Sequence, residues 1–291
     1  MMQQKVDSGE ILSYSKHPAI SNVNNPKNIL LIHGNFCGQK NWDPFLKYLK
    51  EYNVYTLDLR GFGKSTYNHQ LESLFDFAKD VVSFCEKLNL NKIQIVGWSL
   101  GGAVAMSVAL LQPSLIETMI LMASVNLQGF PFISKAGRVK DVKEIKKRLQ
   151  KIDKLLTREN QQFVFENIIN DRILPEKNQC EKGFIDVIYD QLFSQRNYVD
   201  ATAYLGIWDI SDKCEDIKCP ILICHGTEDS VIGYDNAVFN YQTLTKFNPK
   251  TYLYTLEGGS HAPVYEAPQQ MYQIFDYFIK NHRIDQFKSR L

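Results

Sequence analysis

No run of apolar residues in this 291-residue sequence approaches the roughly 18 needed to span a bilayer as a helix. Residues 1–17 also lack an apolar stretch of signal-peptide length, so a cytoplasmic protein without a membrane span is expected. A surplus of either charge is missing too. The formal net charge of +1 argues against a protein built to hold the nucleic-acid backbone or an anionic membrane. Long polar tracts, internal repeats and low-complexity linkers are absent, whereas 17 Phe and 15 Tyr supply material for a core. Six cysteines occur, at positions 37, 85, 180, 214, 219 and 224, but none forms a C-x-x-C pair. Reduced, mostly structural thiols are the simpler reading. The spacing of Cys214, Cys219 and Cys224 does not suit a zinc knuckle, and Cys224 sits in an apolar run that reads as a strand.

What is present is an alternation. Short apolar runs at Ile29–Ile32, Val54–Leu57, Ile93–Val96, Met119–Met122, Ile221–Cys224 and Tyr252–Leu256 are too short for helices. They are rich in Ile, Val and Leu, as strands covered on both faces should be. Helical patterns lie between them at roughly 42–51, 71–89, 100–112, 235–247 and 266–281. Such alternation is the pattern of βαβ units around a mostly parallel sheet, an α/β fold with helices on both faces. It breaks once, from about Asn126 to Trp208, where helical patterns such as Val142, Ile145, Leu149, Ile152 and Leu156 occur without a buried-strand run. The expected organisation is a core over 1–125 and 209–291, with an all-helical insertion over 126–208 packed above the sheet.

The strongest local signal is Gly97-Trp98-Ser99-Leu100-Gly101, a G-x-S-x-G directly after the strand Ile93–Val96 and directly before a small-residue helix start. A serine exposed on a sharp strand-to-helix turn needs a strained backbone, and flanking glycines remove the side chains that would clash there. The helix N-terminus then brings unpaired N–H groups beside the hydroxyl. A hydroxyl is a poor nucleophile without a base, so a histidine and an orienting carboxylate should lie downstream. His261 fits by position, in a glycine-rich loop between the last strand and the last helix, at the same sheet edge as Ser99. His17, His69 and His282 read as solvated. His33 and His225 each end a strand before a glycine and read as structural supports of loop backbone. After the penultimate strand, Glu228 and Asp229 are both available as the carboxylate, with Asp235 a remote third.

Acyl transfer also needs donors where negative charge develops on the carbonyl oxygen. The N–H of Leu100, directly after Ser99, should be one. The loop after Ile29–Ile32 should supply the other, from Asn35 with Phe36 as the runner-up.

Together these residues resemble the α/β-hydrolase superfamily, over nearly the whole chain. The order Ser, Asp, His is the one that superfamily uses, and the resemblance implies Asp229 rather than Glu228 as the carboxylate. Asp58–Ser65 resembles the family's D-x-R-G-x-G-x-S loop, a structural turn. The resemblance also implies a helical cap after the strand around Thr118–Ala123. An aspartate at the elbow would mark dehalogenases and epoxide hydrolases; here it is serine. Proline iminopeptidases carry H-G-G-P-G, where this chain has His-Gly-Asn-Phe-Cys-Gly. The Gly-Trp-Ser-Leu-Gly-Gly string is similar to that of microbial carboxylesterases, including pimeloyl-carrier-protein methyl esterase, and of haloperoxidase-like esterases.

The expected activity is hydrolysis of a small-molecule carboxylic ester or thioester through an acyl-enzyme, with no metal or organic cofactor. Carbon–carbon cleavage of a diketone by the same residues, and a slow-turnover receptor on the same fold, are the rival readings. Between Lys135 and Arg158 the insertion holds ten basic residues against three acids. Docking of an acidic carrier protein is one reading of that run; a solvated outer helix face is the favoured one. Cap aromatics (Phe130, Phe132, Phe163, Phe165, Tyr189, Phe193, Tyr204 and Trp208) are expected mostly in the core, with a few left for an acyl pocket.

Overall fold

The computed structural model describes residues 1–20, 23–135, 137–169 and 184–287. Cys180 and the Phe165 side chain therefore lie outside what can be described. Eight strands form one sheet in the order β1-β2-β4-β3-β5-β6-β9-β10. These are β1 (Met2–Lys5), β2 (Ile11–His17), β3 (Asn28–Ile32), β4 (Asn53–Leu57), β5 (Ile93–Trp98), β6 (Ile116–Met122), β9 (Ile221–Gly226) and β10 (Thr251–Leu256). From β4 to β10 all neighbours run parallel, whereas β1 and β2 join antiparallel at one edge. Those two edge strands escape a search for apolar runs because the edge is partly solvated, as the exposure of Met2 and Lys16 shows.

The core lies in two layers, one on each face of the sheet. On one face pack helices α2 (Phe75–Lys87), α3 (Leu100–Leu111) and α8 (Asp235–Leu244), through residues such as Phe77, Val81, Val104 and Ala237. On the other pack α1 (Asp43–Leu46), α9 (Pro263–Glu266) and α10 (Pro268–Asn281), through Phe45, Val264, Met271 and Phe275. Successive side chains of each parallel strand alternate between these layers, so Leu30 and Ile32 join the first while Ile29 and Leu31 join the second. The helix expected over 42–51 is only the single turn α1; beyond it Tyr48 and Leu49 donate to the carbonyls of Phe45 and Leu46 in tighter turns.

Between β6 and β9 the chain leaves the sheet. It forms a hairpin, β7 (Phe132–Ser134) with β8 (Gly137–Val139), then helices α4 (Val142–Asp153), α5 (Gln161–Val164), α6 (Phe184–Ser194) and α7 (Tyr198–Ile207). The hairpin departs from the all-helical expectation, because each of its strands is only three residues long and too short to show a period. Asp141 caps α4 by accepting from Lys143 N–H at 2.9 Å, and the Ile145 and Leu149 stripe buries against Tyr198 and Ala203. Of the basic residues in 135–158, Arg138, Lys146, Arg148 and Arg158 pair with acids, while Lys143, Lys147 and Lys151 are exposed. Among the described residues no helix is long and apolar enough to cross a membrane, and no three His, Cys, Asp or Glu side chains are grouped to hold a metal.

The Asp58–Ser65 turn ties the sheet to the helices. Buried Asp58 accepts from Gln39 N–H at 2.8 Å, Gln39 Nε2 at 3.0 Å and Lys64 N–H at 3.1 Å. Buried Arg60 forks onto Asp80 of α2, with Nη2 at 2.6 Å from Oδ1. A charge taken out of water in this way is costly once its partner is gone. Arg60→Leu is therefore expected to destabilise the fold by about 3–5 kcal/mol in chemical denaturation, with most of the loss recovered in Arg60→Leu/Asp80→Leu. Equal destabilisation in the single and double variants would contradict this.

Candidate active site

β5 is the central parallel strand between β3 and β6, and it ends directly at Ser99. Ser99 has φ 56° and ψ −118°, a left-handed conformation that a residue with a Cβ rarely adopts. Its N–H donates to Met122 O at 3.0 Å and its carbonyl accepts from Gly102 N–H at 2.9 Å, so the turn is pinned between β6 and the first turn of α3. Close approach is what Gly101 permits: a Cβ there would collide with the carbonyls of Ile32 and His33. The loop after β3 comes equally near on the other side, since a Cβ on Gly34 would stand 3.0 Å from Ser99 Cβ. The sharp turn and two glycines thus bring three chain segments to one point.

His261 is buried in the loop after β10, and its Nδ1 lies 2.8 Å from Asp229 Oδ2. Asp229 follows β9, and its Oδ1 accepts from Val231 N–H at 2.9 Å and Ile232 N–H at 2.8 Å. Burial works against the carboxylate charge. The facing His261 and the hydrogen bonds from His225 and His261 outweigh it and hold Asp229 well below the ordinary carboxylate range. Glu228, the neighbouring alternative, is exposed, and Asp235 begins α8. Trp98 does two jobs: it is fully buried, and its Nε1 donates to His261 O at 2.8 Å.

Ser99, His261, Asn35 and Trp98 line a single cavity of about 410 Å³. The insertion roofs it with Phe130, Phe132, Leu149, Ile152 and Phe163, and the floor adds Val125 and Val231. Tyr198 lines it too, whereas other described cap aromatics go elsewhere. Tyr189 and Phe193 stack on each other at 5.7 Å, Tyr204 lies under Lys146, and Trp208 is buried on Ser107. Cys37 also lines the cavity, but burial pushes its thiol up to about 12, which leaves it protonated at neutral pH.

Among the described residues the backbone N–H groups of Asn35, which lines the cavity, and of Leu100, directly after Ser99, have no protein acceptor. Phe36 N–H is already engaged, donating to Gln195 Oε1 at 3.0 Å. Gln195 Nε2 donates to Asn35 Oδ1 at 2.7 Å, and Asn35 Nδ2 donates to Thr202 Oγ1 at 2.9 Å. The insertion therefore clamps the loop that bears Asn35. Nothing in the sequence marks Gln195 or Thr202, because they meet the loop only through the tertiary fold. His33 does support loop backbone, its Nδ1 donating to Gly34 O at 2.7 Å and its Nε2 accepting from Leu59 N–H at 3.0 Å. His225 bonds Ile232 O through Nε2 at 2.6 Å, and the same Nε2 lies 3.0 Å from Asp229 Oδ2, a contact the sequence did not disclose.

Comparison with known proteins agrees with this frame. Residues 29–274 match the model of a family described as the alpha/beta hydrolase family. An (E)-2-((N-methylformamido)methylene)succinate hydrolase from Acinetobacter baylyi is 27% identical over 203 residues, 69% of this chain and 72% of that one. A monoacylglycerol lipase from Mus musculus is 24% identical over 269 residues, 89% of this chain and 78% of that one. A relative from Haemophilus influenzae is 30% identical, but the match spans only 44% of its length. A thermophilic esterase from Thermogutta terrifontis superposes with a TM-score of 0.77 at 22% identity, covering 98% of this chain and all of that one, which shows a shared fold.

The depressed Asp229 carboxylate has a consequence for stability. A group whose folded pKa lies below its unfolded value of about 3.9 stabilises the fold above that pH and loses the contribution as pH falls. Asp229→Asn should therefore be less stable than the parent at pH 7, with the gap narrowing below about pH 4. A gap that stays constant from pH 7 to pH 3 in chemical denaturation would contradict the assignment of a buried, ionised Asp229.

Proposed function

This chain belongs to the alpha/beta hydrolase family, and we propose that within it the chain is a carboxylic ester hydrolase working through an acyl-enzyme on Ser99. The observation that carries the reading is the convergence at one cavity of a serine on a strained elbow and a histidine bonded through Nδ1 to a buried carboxylate. In this reading His261 Nε2 takes the Ser99 proton as Oγ attacks the acyl carbonyl. The N–H groups of Asn35 and Leu100 hold the oxyanion, and Asp229 stabilises the imidazolium. His261 then returns the proton to the leaving alcohol and afterwards activates water to release the acid. The chemistry draws on no metal or organic cofactor. A boundary of the cap near 126–208 and a cytoplasmic setting belong to the same proposal, the latter on the ground that the five described cysteines are free thiols.

The roof argues for the acyl group. Phe130, Phe132, Ile152 and Phe163 offer dispersion and desolvation to an alkyl chain rather than hydrogen bonds. Cleavage of a carbon–carbon bond would use the same serine and histidine, and relatives include a hydrolase of a 2-hydroxy-6-oxo-dienoic acid. The apolar roof favours the ester.

Ser99→Ala is expected to lower turnover of p-nitrophenyl esters by at least about 10⁴-fold with the thermal midpoint nearly unchanged. The parent should gain up to about fourfold in kcat/KM per methylene from acetate towards medium-chain esters, as each CH₂ enters the cavity. Wild-type rates in the variant would refute the nucleophile. Turnover of a vinylogous diketone, with esters left untouched, would transfer the site to carbon–carbon hydrolysis.

A further inference from the structure

The strand β9 ends in His225-Gly226, and His225 is completely buried one turn of loop before Asp229. Its Nε2 has two neighbours, Ile232 O at 2.6 Å and Asp229 Oδ2 at 3.0 Å, and both can only accept. Nε2 must therefore carry the hydrogen. Its Nδ1 is buried with no partner among the described residues, so a second proton there would be an unsatisfied donor. His225 is held as an Nε2–H donor by geometry alone.

The Asp229 carboxylate consequently accepts two backbone N–H groups on Oδ1 and the His261 ring on Oδ2, and the His225 Nε2–H, bonded to Ile232 O, stands 3.0 Å from that same Oδ2. Two effects follow. The carboxylate plane cannot turn, so Oδ2 is aimed at His261 Nδ1. The negative charge on Oδ2 is also shared, so the imidazolium of His261 receives less of it than an unshared carboxylate would give.

We propose that His225 is a positioning residue for the catalytic pair, fixing Asp229 and tempering the basicity of His261 by competing for the same oxygen. The inference rests on the reading of Ser99, His261 and Asp229 given above. Tyr234, Glu266, Glu228 and Cys37 are the other titratable groups around the pair. Tyr234 packs edge-on to the His225 ring and bonds Thr255 through its hydroxyl. Glu266 holds Ser260 N–H at 2.8 Å, Glu228 is exposed, and Cys37 stands across the cavity.

The test is the pH dependence of fluorophosphonate labelling, whose acidic limb reports the protonation of His261 in the free enzyme. His225→Phe removes the competing donor and should move that limb upward by up to about one unit, with a lower plateau rate. His225→Asn, whose shorter amide does not reach Oδ2, should do the same if the Phe variant folds poorly. His225→Gln places an amide N–H near the Nε2 position and should bring the limb back to that of the parent. Slower labelling in all three variants with an unmoved limb would overturn the proposal and leave His225 a packing residue. Ser99→Ala is run beside them: labelling that persists there would overturn the catalytic reading itself, not the role of His225.

Discussion

The candidate site is built around one strained residue, Ser99, held at φ 56° where β5 turns into α3. A non-glycine residue in such a conformation costs of order 1–3 kcal/mol, and it persists only where its surroundings over-determine it. Here they do. β5 is flanked on both sides by parallel strands, and nearly all of α3 is buried between the sheet and α2. The loop after β3 packs close against the turn, since even a Cβ on Gly101 would collide with the carbonyls of Ile32 and His33. The rigidity of the sheet is spent on exposing one hydroxyl to a cavity.

The insertion between β6 and β9 adds what the sheet alone cannot. Its apolar side roofs the cavity with Phe130, Phe132, Ile152 and Phe163. Its polar side reaches down through Gln195 and Thr202 to fix the Asn35 side chain and to occupy Phe36 N–H. On the proposed reading, selection of the acyl group and geometry of the oxyanion site would thus meet in the same segment. A shift of the cap would be felt at both. Asp229 is held by two backbone N–H groups and by His261, with His225 Nε2 3.0 Å from the same Oδ2.

Much of this was legible in the chain, and the reasons are local. The parallel strands announce themselves because both faces are buried, which makes them short runs of Ile, Val and Leu. The elbow is legible because its pattern is confined to five residues, although what requires glycine at Gly101 is the approach of the Ile32 and His33 carbonyls. The loop histidine and Asp229 are legible by their order along the chain and by resemblance. What stayed hidden depends on contacts distant in sequence. β1 and β2 lie at a partly solvated edge, and β7 and β8 are too short to show a period. Gln195 lies 160 residues from Asn35, and its role exists only once the cap folds over the loop. His225 was visible as a strand-end residue that supports backbone, but its second acceptor, Asp229, shares the same nitrogen and could not be read from spacing.

The central claim is that an acyl group is carried on Ser99. Its most direct test is to quench the protein during turnover of a slowly deacylating medium-chain ester and locate the adduct by peptide mass spectrometry. The account predicts a single acyl adduct on the peptide containing Gly97–Gly101, placed on Ser99. An adduct on another residue, or steady turnover with no adduct on Ser99 at any quench time, would contradict it.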